Sequence, residues 1–120
     1  DELKDAMLRA QEASYGDGLD PEIRHPYMWA CKSHYYSSGY NFYNFPYAFG
    51  ELFAKGVFAQ YLQKGAAFVP DYCRLLRSCG SGTIADVAAS VGIDVRNPDF
   101  WCSSLEVVKG NIDKFCELVK

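Results

Sequence analysis

The chain has 120 residues, a formal net charge of −3, and 49% hydrophobic and 22% charged residues. This is enough for one domain or one piece of a larger domain, and the composition is that of an ordinary globular protein. The acidic balance without a basic run excludes nucleic acid and an anionic membrane surface as expected partners. No stretch approaches the roughly 20 apolar residues of a membrane span, and the start DELKDAMLRA lacks a signal-peptide pattern.

Apolar residues near the start recur at the spacing of a helix face: Leu3, Ala6, Met7 and Ala10. They predict an amphipathic helix from residue 1 to about residue 14. Gly16, Gly18 and Pro21 then interrupt the helix, and Asp20 is placed to cap a short turn.

The region from His25 to Phe45 has no helical period and is rich in aromatic residues. It predicts an irregular or extended segment that could include a short strand. A turn is expected over Ser37, Ser38 and Gly39.

A long helix is predicted from Pro46 to Gly65, because proline suits the first helical position and glycine a helix end. Few of its positions are polar, so we expect it to be mostly buried. Gly50 and Gly56 each cost about 1 kcal/mol in a helix interior. They indicate close contact with another backbone or a site that needs room.

Three shorter patterns complete the chain. A helix is predicted over residues 70–79, with Gly80 as its stop and one apolar side formed by Tyr72, Cys73, Leu76 and Cys79. Thr83 and Asp86 form a capping box for a short helix that ends at Gly92.

Asn97 and Pro98 open a last helix. Its apolar residues repeat every three or four positions and predict a packing face, made of Trp101, Leu105, Val108, Ile112, Phe115 and Val119. The fold class expected from these elements is all-α, a helical bundle piece with one irregular aromatic-rich segment before a long buried helix.

The cysteine count is odd, with Cys31, Cys73, Cys79, Cys102 and Cys116. No C-x-x-C occurs, and neither histidine lies at a zinc-finger spacing from them. We interpret them as buried or idle thiols in a reducing cytosol, so the expected location is cytoplasmic and no metal ligand is predicted in this chain.

The stretch SHYYSSGYNFYNFPYAFG, residues 33–50, holds five tyrosines around a single histidine. Phenol and imidazole donate hydrogen bonds near neutral pH, which suits a carbonyl oxygen that becomes an oxyanion. His34 stands inside this stretch, whereas His25 lies in a turn and favours a structural role. Composition alone leaves core packing and function about equally weighted for the tyrosines.

Three longer stretches carry a resemblance: LDPEIRHPYMWACKSHYYSSGYNFYNFPYAFGELFAKGVFAQY, AFVPDYCRLLRSCGS and GIDVRNPDFW. They resemble the C-terminal end of the oligoendopeptidase F family, zinc metallopeptidases that are relatives of thimet oligopeptidase and cut short peptides. The resemblance implies that residues 1–120 are one helical piece of a larger catalytic domain. It also implies zinc in the parent enzyme, held by an H-E-x-x-H helix and a glutamate that this chain lacks.

The resemblance assigns roles to five residues of the aromatic stretch. His34 matches the family's loop histidine, and Tyr47 matches a later tyrosine, so both are expected to stabilise the transition state. Gly39 and Tyr40 match a Gly-Tyr pair, and Tyr43 an intermediate tyrosine, so these three are expected to bind substrate. The spacing varies within the family, so the tyrosine that meets the oxyanion stays open.

The implied partners are short peptide substrates and the remainder of the parent catalytic domain. The chain alone is expected to be inactive, to bind zinc poorly, and to self-associate through its long apolar helix. The alternative is a non-catalytic helical module that binds a peptide or a protein partner through the aromatic segment.

Overall fold

The computed structural model describes all 120 residues and contains helices but no strand. Its α-helices are α1 (Glu2–Tyr15), α2 (Phe45–Lys64), α3 (Val69–Arg77), α4 (Ile84–Ala89) and α5 (Pro98–Leu118). Short 3₁₀ helices cover Gly16–Gly18, Met28–Cys31, Ser33–Tyr35 and Gly65–Phe68. The all-α prediction is therefore confirmed. No helix has both the length and the apolar character needed to cross a membrane.

The chain forms two compact units, Asp1–Phe45 and Pro46–Lys120. We call them the first and the second unit and describe each by itself. The prediction that residues 1–120 are one piece of a larger catalytic domain stays a prediction.

In the first unit, α1 ends where Gly16 takes a φ of 54°. Its one buried residue, Gln11, holds the main chain of His25. The turn at Asp20 forms as expected, because Asp20 Oδ1 accepts a hydrogen bond of 2.9 Å from the Glu22 N–H.

The aromatic segment is built from tight local turns. The Tyr36 N–H donates to the Ser33 carbonyl at 3.1 Å, and the Tyr40 N–H donates to the Ser37 carbonyl at 2.9 Å. These bonds between near neighbours use the main-chain groups that a strand would offer to a partner. The expected short strand is therefore wrong, and the turn over residues 37–39 is confirmed.

The second unit has a continuous apolar core, formed by Val57, Phe68, Leu75, Ala88, Val91, Ile93 and Phe100. Helix α2 meets α5 at Gly56. A Cβ on Gly56 would lie 2.7 Å from Ser104 Oγ and closer still to the ring of Phe100. Gly56 is therefore closely approached, but by the side chains of Phe100 and Ser104, so the predicted contact with another backbone is wrong. At Gly50 a Cβ would meet nothing within 4 Å.

The predicted helix starts of the second unit are confirmed. Thr83 Oγ1 accepts from the Asp86 N–H at 3.2 Å, and Asn97 Oδ1 accepts from the Asp99 N–H at 2.9 Å. Gly80 and Gly92 follow α3 and α4 with φ values of 82° and 75°, so each provides the left-handed turn that ends a helix region.

Two burial predictions for the helices are wrong. Within this chain α2 buries only Gly56, Val57 and Ala59, because no element covers most of its apolar surface. Helix α5 buries Phe100 and Ser104, the residues that face Gly56, rather than its predicted stripe. Trp101 and Val108 are half-buried, and the other stripe residues are exposed: Leu105, Ile112, Phe115 and Val119.

Of the two alternatives for the thiols, buried or idle, the buried one is wrong. All five cysteines are free and lie on exposed residues. Four of them lie on 3₁₀ or α-helical positions, and Cys79 lies in the turn that follows α3.

Candidate functional site

Four of the predicted site residues lie in one loop of the first unit. His34 sits on the 3₁₀ helix Ser33–Tyr35, and its carbonyl accepts a hydrogen bond from the Phe42 N–H. This bond closes the chain between residues 34 and 42, so that Gly39 and Tyr40 stand on an exposed turn. We call residues 34–43 the tyrosine loop.

The backbone of Phe42 explains how this loop closes. Phe42 has a φ of 56° and is the one non-glycine residue with positive φ. A bulky residue in the left-handed region is uncommon and costs free energy, and such residues concentrate at functional sites. The Phe42 ring packs edge-on against Tyr35, with 5.8 Å between centroids, which stabilises this conformation.

Tyr40 and Tyr43 lie side by side on the tyrosine loop. Their ring centroids are 5.5 Å apart, and the Tyr43 N–H donates to the Tyr40 carbonyl at 3.0 Å. Both side chains are exposed. The arrangement holds two phenol donors close together where a ligand can reach them.

Two other tyrosines of the segment have structural roles. The Tyr36 hydroxyl donates to the Ala30 carbonyl at 2.7 Å. Tyr35 is the packing partner of Phe42. Of the four tyrosines in the loop, Tyr35 therefore packs and Tyr36 bonds the main chain, although the Tyr36 side chain is 58% exposed.

Tyr47 belongs to the second unit, on the first turn of α2, and is 65% exposed. The structure thus brings His34, Gly39, Tyr40 and Tyr43 together in one loop, and it places Tyr47 in the other unit.

His25 has the structural role that its sequence context favoured. Its Nδ1 accepts a hydrogen bond of 3.0 Å from the Tyr27 N–H. Its main-chain N–H and carbonyl are both bonded to the Gln11 side chain.

A zinc site does not fit the residues of this chain. No group of three or more histidine, cysteine, aspartate or glutamate residues is arranged so that it could hold a metal ion. A catalytic zinc needs three protein ligands from these residue types.

The second unit also has a groove that the sequence analysis did not predict. This groove lies between α2, α3 and α4 and has a volume of about 860 Å³. Six of its lining side chains are large, apolar and substantially exposed: Phe58, Tyr61, Val69, Tyr72, Leu76 and Ile84. The signal that pointed to it was the apolar side predicted for residues 70–79. Tyr72, Leu76 and Cys79 of that side do line the groove, whereas Cys73 does not and Leu75 does.

Comparisons with known proteins give one informative relative. The chain is 27% identical over 105 residues to oligopeptidase PepF of Bacillus subtilis (strain 168). The match covers 88% of this chain and 15% of that protein. No family model matches. No solved structure matches either.

Proposed function

We propose that this chain is part of a metallopeptidase that hydrolyses short peptides, that its tyrosine loop binds the substrate, and that His34 of this loop and Tyr47 of α2 stabilise the developing oxyanion. The observation that carries the proposal is the pair of exposed phenols, Tyr40 and Tyr43, on a loop closed at His34. The similarity to an oligopeptidase over 88% of the chain supports the same reaction class.

The chemistry of the loop is hydrogen-bond donation. When a peptide bond is attacked, its carbonyl oxygen gains negative charge. A phenol O–H or an imidazole N–H directed at that oxygen lowers the energy of the charged state. One such donor contributes about 2.7–4 kcal/mol of transition-state stabilisation. We assign this role to His34 and Tyr47, and substrate binding to Gly39, Tyr40 and Tyr43.

The zinc of this proposed enzyme is held outside these 120 residues, because the chain offers no set of three ligands. The chain spans 15% of the length of the PepF relative. The ligands are therefore expected in the remainder of a longer polypeptide, and every step that needs the metal belongs to that remainder.

Substitutions in the complete polypeptide test the proposal. Tyr47→Phe, Tyr40→Phe, Tyr43→Phe and His34→Ala are assayed with a quenched fluorescent peptide. Removal of the hydroxyl that contacts the oxyanion should lower kcat about 10²–10³-fold. The change in KM should be much smaller, because the hydrogen bond from that hydroxyl strengthens in the transition state.

Tyr36→Phe is the matched control. It also removes a phenol hydroxyl from the segment, but that hydroxyl is bonded to the Ala30 carbonyl. We expect kcat to stay unchanged and stability to fall by about 1 kcal/mol. Near-normal kcat in all four test variants would refute the assignment of the tyrosine loop.

The 120-residue chain alone is expected to be inactive. Without a ligand set it cannot assemble a zinc site, so added zinc should produce no peptide hydrolysis. The measurement is turnover of the same fluorescent peptide with and without a chelator. Hydrolysis by a preparation free of other peptidases, abolished by the chelator, would contradict this.

A second candidate function is a non-catalytic helical binding module. The exposed apolar groove of the second unit favours it, because helical segments and apolar ligands bind in such grooves. The gene separates the two candidates. An H-E-x-x-H motif encoded upstream in the same reading frame supports the peptidase, and its absence supports the module.

A further inference from the structure

Phe42 occupies the third position of a turn that disfavours a bulky residue. The turn runs from Tyr40 to Tyr43 and is closed by the hydrogen bond from the Tyr43 N–H to the Tyr40 carbonyl at 3.0 Å. A positive φ at the third position of a turn normally requires glycine or asparagine. Phe42 takes a φ of 56° there, while the asparagine of this turn, Asn41, stands one position earlier. The turn is therefore built on a strained residue.

Phe42 also connects the two parts of the tyrosine loop. Its N–H donates to the His34 carbonyl, and its ring contacts the ring of Tyr35, the residue that follows His34. The turn that it completes holds Tyr40 and Tyr43 at a centroid distance of 5.5 Å. A negative φ at Phe42 would give a different turn, in which the chain leaves toward Tyr43 in another direction. The placement of both phenols relative to His34 thus depends on one dihedral angle.

We propose that Phe42 is the positioning residue of the tyrosine loop: given the substrate role proposed for this loop, its left-handed backbone holds Tyr40 and Tyr43 where a peptide can contact both. The hydrogen bond to His34 and the ring contact to Tyr35 offset the strain of that backbone. Phe42 acts through the side chains that it places, so its replacement should weaken substrate binding.

Two substitutions separate the backbone of Phe42 from its ring. Phe42→Asn and Phe42→Val both remove the ring, but asparagine tolerates the left-handed region, whereas a β-branched residue is an outlier there. Phe42 is 64% exposed and its ring partner Tyr35 lies in the first unit, so both variants should keep the apolar core of the second unit. Circular dichroism of the 120-residue chain checks that the helix content is equal.

Nuclear Overhauser contacts in the 120-residue chain test the placement without any substrate. The rings of Tyr40 and Tyr43 should give cross-peaks in the wild type and in Phe42→Asn. These cross-peaks should be lost or strongly weakened in Phe42→Val. Equal ring contacts in the two variants, or their absence from both, would overturn the backbone of Phe42 as the feature that sets the loop.

Kinetics of the complete polypeptide test the consequence for substrate binding. Backbone strain of this kind shifts a conformational equilibrium by about 5- to 150-fold. The KM of Phe42→Val should therefore exceed that of Phe42→Asn at least about fivefold. A purely structural role would lower the amount of active enzyme in Phe42→Val and leave its KM unchanged, so KM distinguishes positioning from stability.

The positioning role and the proposed function fail in different ways. If Tyr40→Phe and Tyr43→Phe change neither KM nor kcat, the two phenols do not bind substrate, and the ring contacts still decide whether Phe42 sets the loop. If they raise KM but the KM of Phe42→Val does not exceed that of Phe42→Asn, Phe42 is not the positioning residue and the substrate role of the loop stands.

Discussion

Gln11 is a buried polar residue of α1 that holds the later main chain of the first unit at His25. Its Nε2 donates to the His25 carbonyl at 2.9 Å and to the Met7 carbonyl at 3.2 Å, and its Oε1 accepts from the His25 N–H at 3.1 Å. Gln11→Leu leaves the His25 main chain unsatisfied, so we expect the opening free energy around residues 16–25 to fall by about 2–3 kcal/mol. Amide hydrogen exchange measures it.

Glu12→Gln is the control for that prediction, because Glu12 is the next residue of α1 and contacts Arg24, the residue before His25. Glu12 and Arg24 form an ion pair of 3.7 Å, with the Glu12 side chain 67% exposed. Although the Arg24 side chain is only 15% exposed, its contact to Glu12 is long and its bond to the Gly16 carbonyl remains, so exchange should change by less than about 1 kcal/mol. Equal effects of the two substitutions would show that Gln11 has no special role.

At single residues, the sequence supplies the residue types of the candidate site but not the hydrogen-bond partners of its side chains. The special weight of His34 among the tyrosines came from residue type alone, whereas the structural role of Tyr36 depends on the carbonyl that its hydroxyl reaches. That partner is Ala30, six residues away through two 3₁₀ turns. No local pattern specifies such a path. Gln11 was missed because a polar residue on an amphipathic helix is usually solvated.

At the scale of elements, α2 and α5 meet through the ring pairs Phe49–Trp101 and Phe53–Phe100, and Gly56 leaves the room that Phe100 occupies. Gly56→Ala places a methyl group against Ser104 and the buried ring of Phe100, which must move. Overpacking of this kind costs about 1–3 kcal/mol and exceeds the gain of about 1 kcal/mol in helix propensity. Chemical denaturation should therefore show a net loss of stability.

Gly50→Ala is the matched substitution on the same helix. A Cβ there meets nothing within 4 Å, so only the propensity gain remains. Stability should rise by up to about 1 kcal/mol. A rise at both positions would mean that Phe100 yields freely and that Gly56 is not a packing requirement.

Helix boundaries were predictable because they depend on local chemistry. The start of α5 at Pro98 follows from Asn97, and the start of α4 from Thr83, each through its own side-chain cap. The buried face of α5 was not predictable. Its periodic stripe satisfies the helical pattern, yet the gap at Gly56 lies opposite Phe100 and Ser104. Which face of a helix is buried depends on the neighbouring element. The helical period of the apolar residues does not contain that information.

For the whole molecule, the distribution of apolar residues differs between the two units. All eight buried hydrophobic residues lie in the second unit, from Val57 to Phe100. The first unit buries one residue, Gln11. Since hydrophobic burial is the main favourable term in folding, the stability of the chain resides in the second unit.

Residues 46–120 should therefore fold without the first unit. The core, the caps at Thr83 and Asn97, and the contact at Gly56 all lie within that range. We expect the excised unit to keep its helical circular dichroism and a cooperative urea transition, because every element of its core is retained. Residues 1–45 alone should give a gradual, non-cooperative change, since they lack a core that could offset the entropy of ordering the chain. A cooperative transition for residues 1–45 would show that the first unit is stable through its own contacts. Loss of the transition for residues 46–120 would show that the second unit needs the first in order to fold.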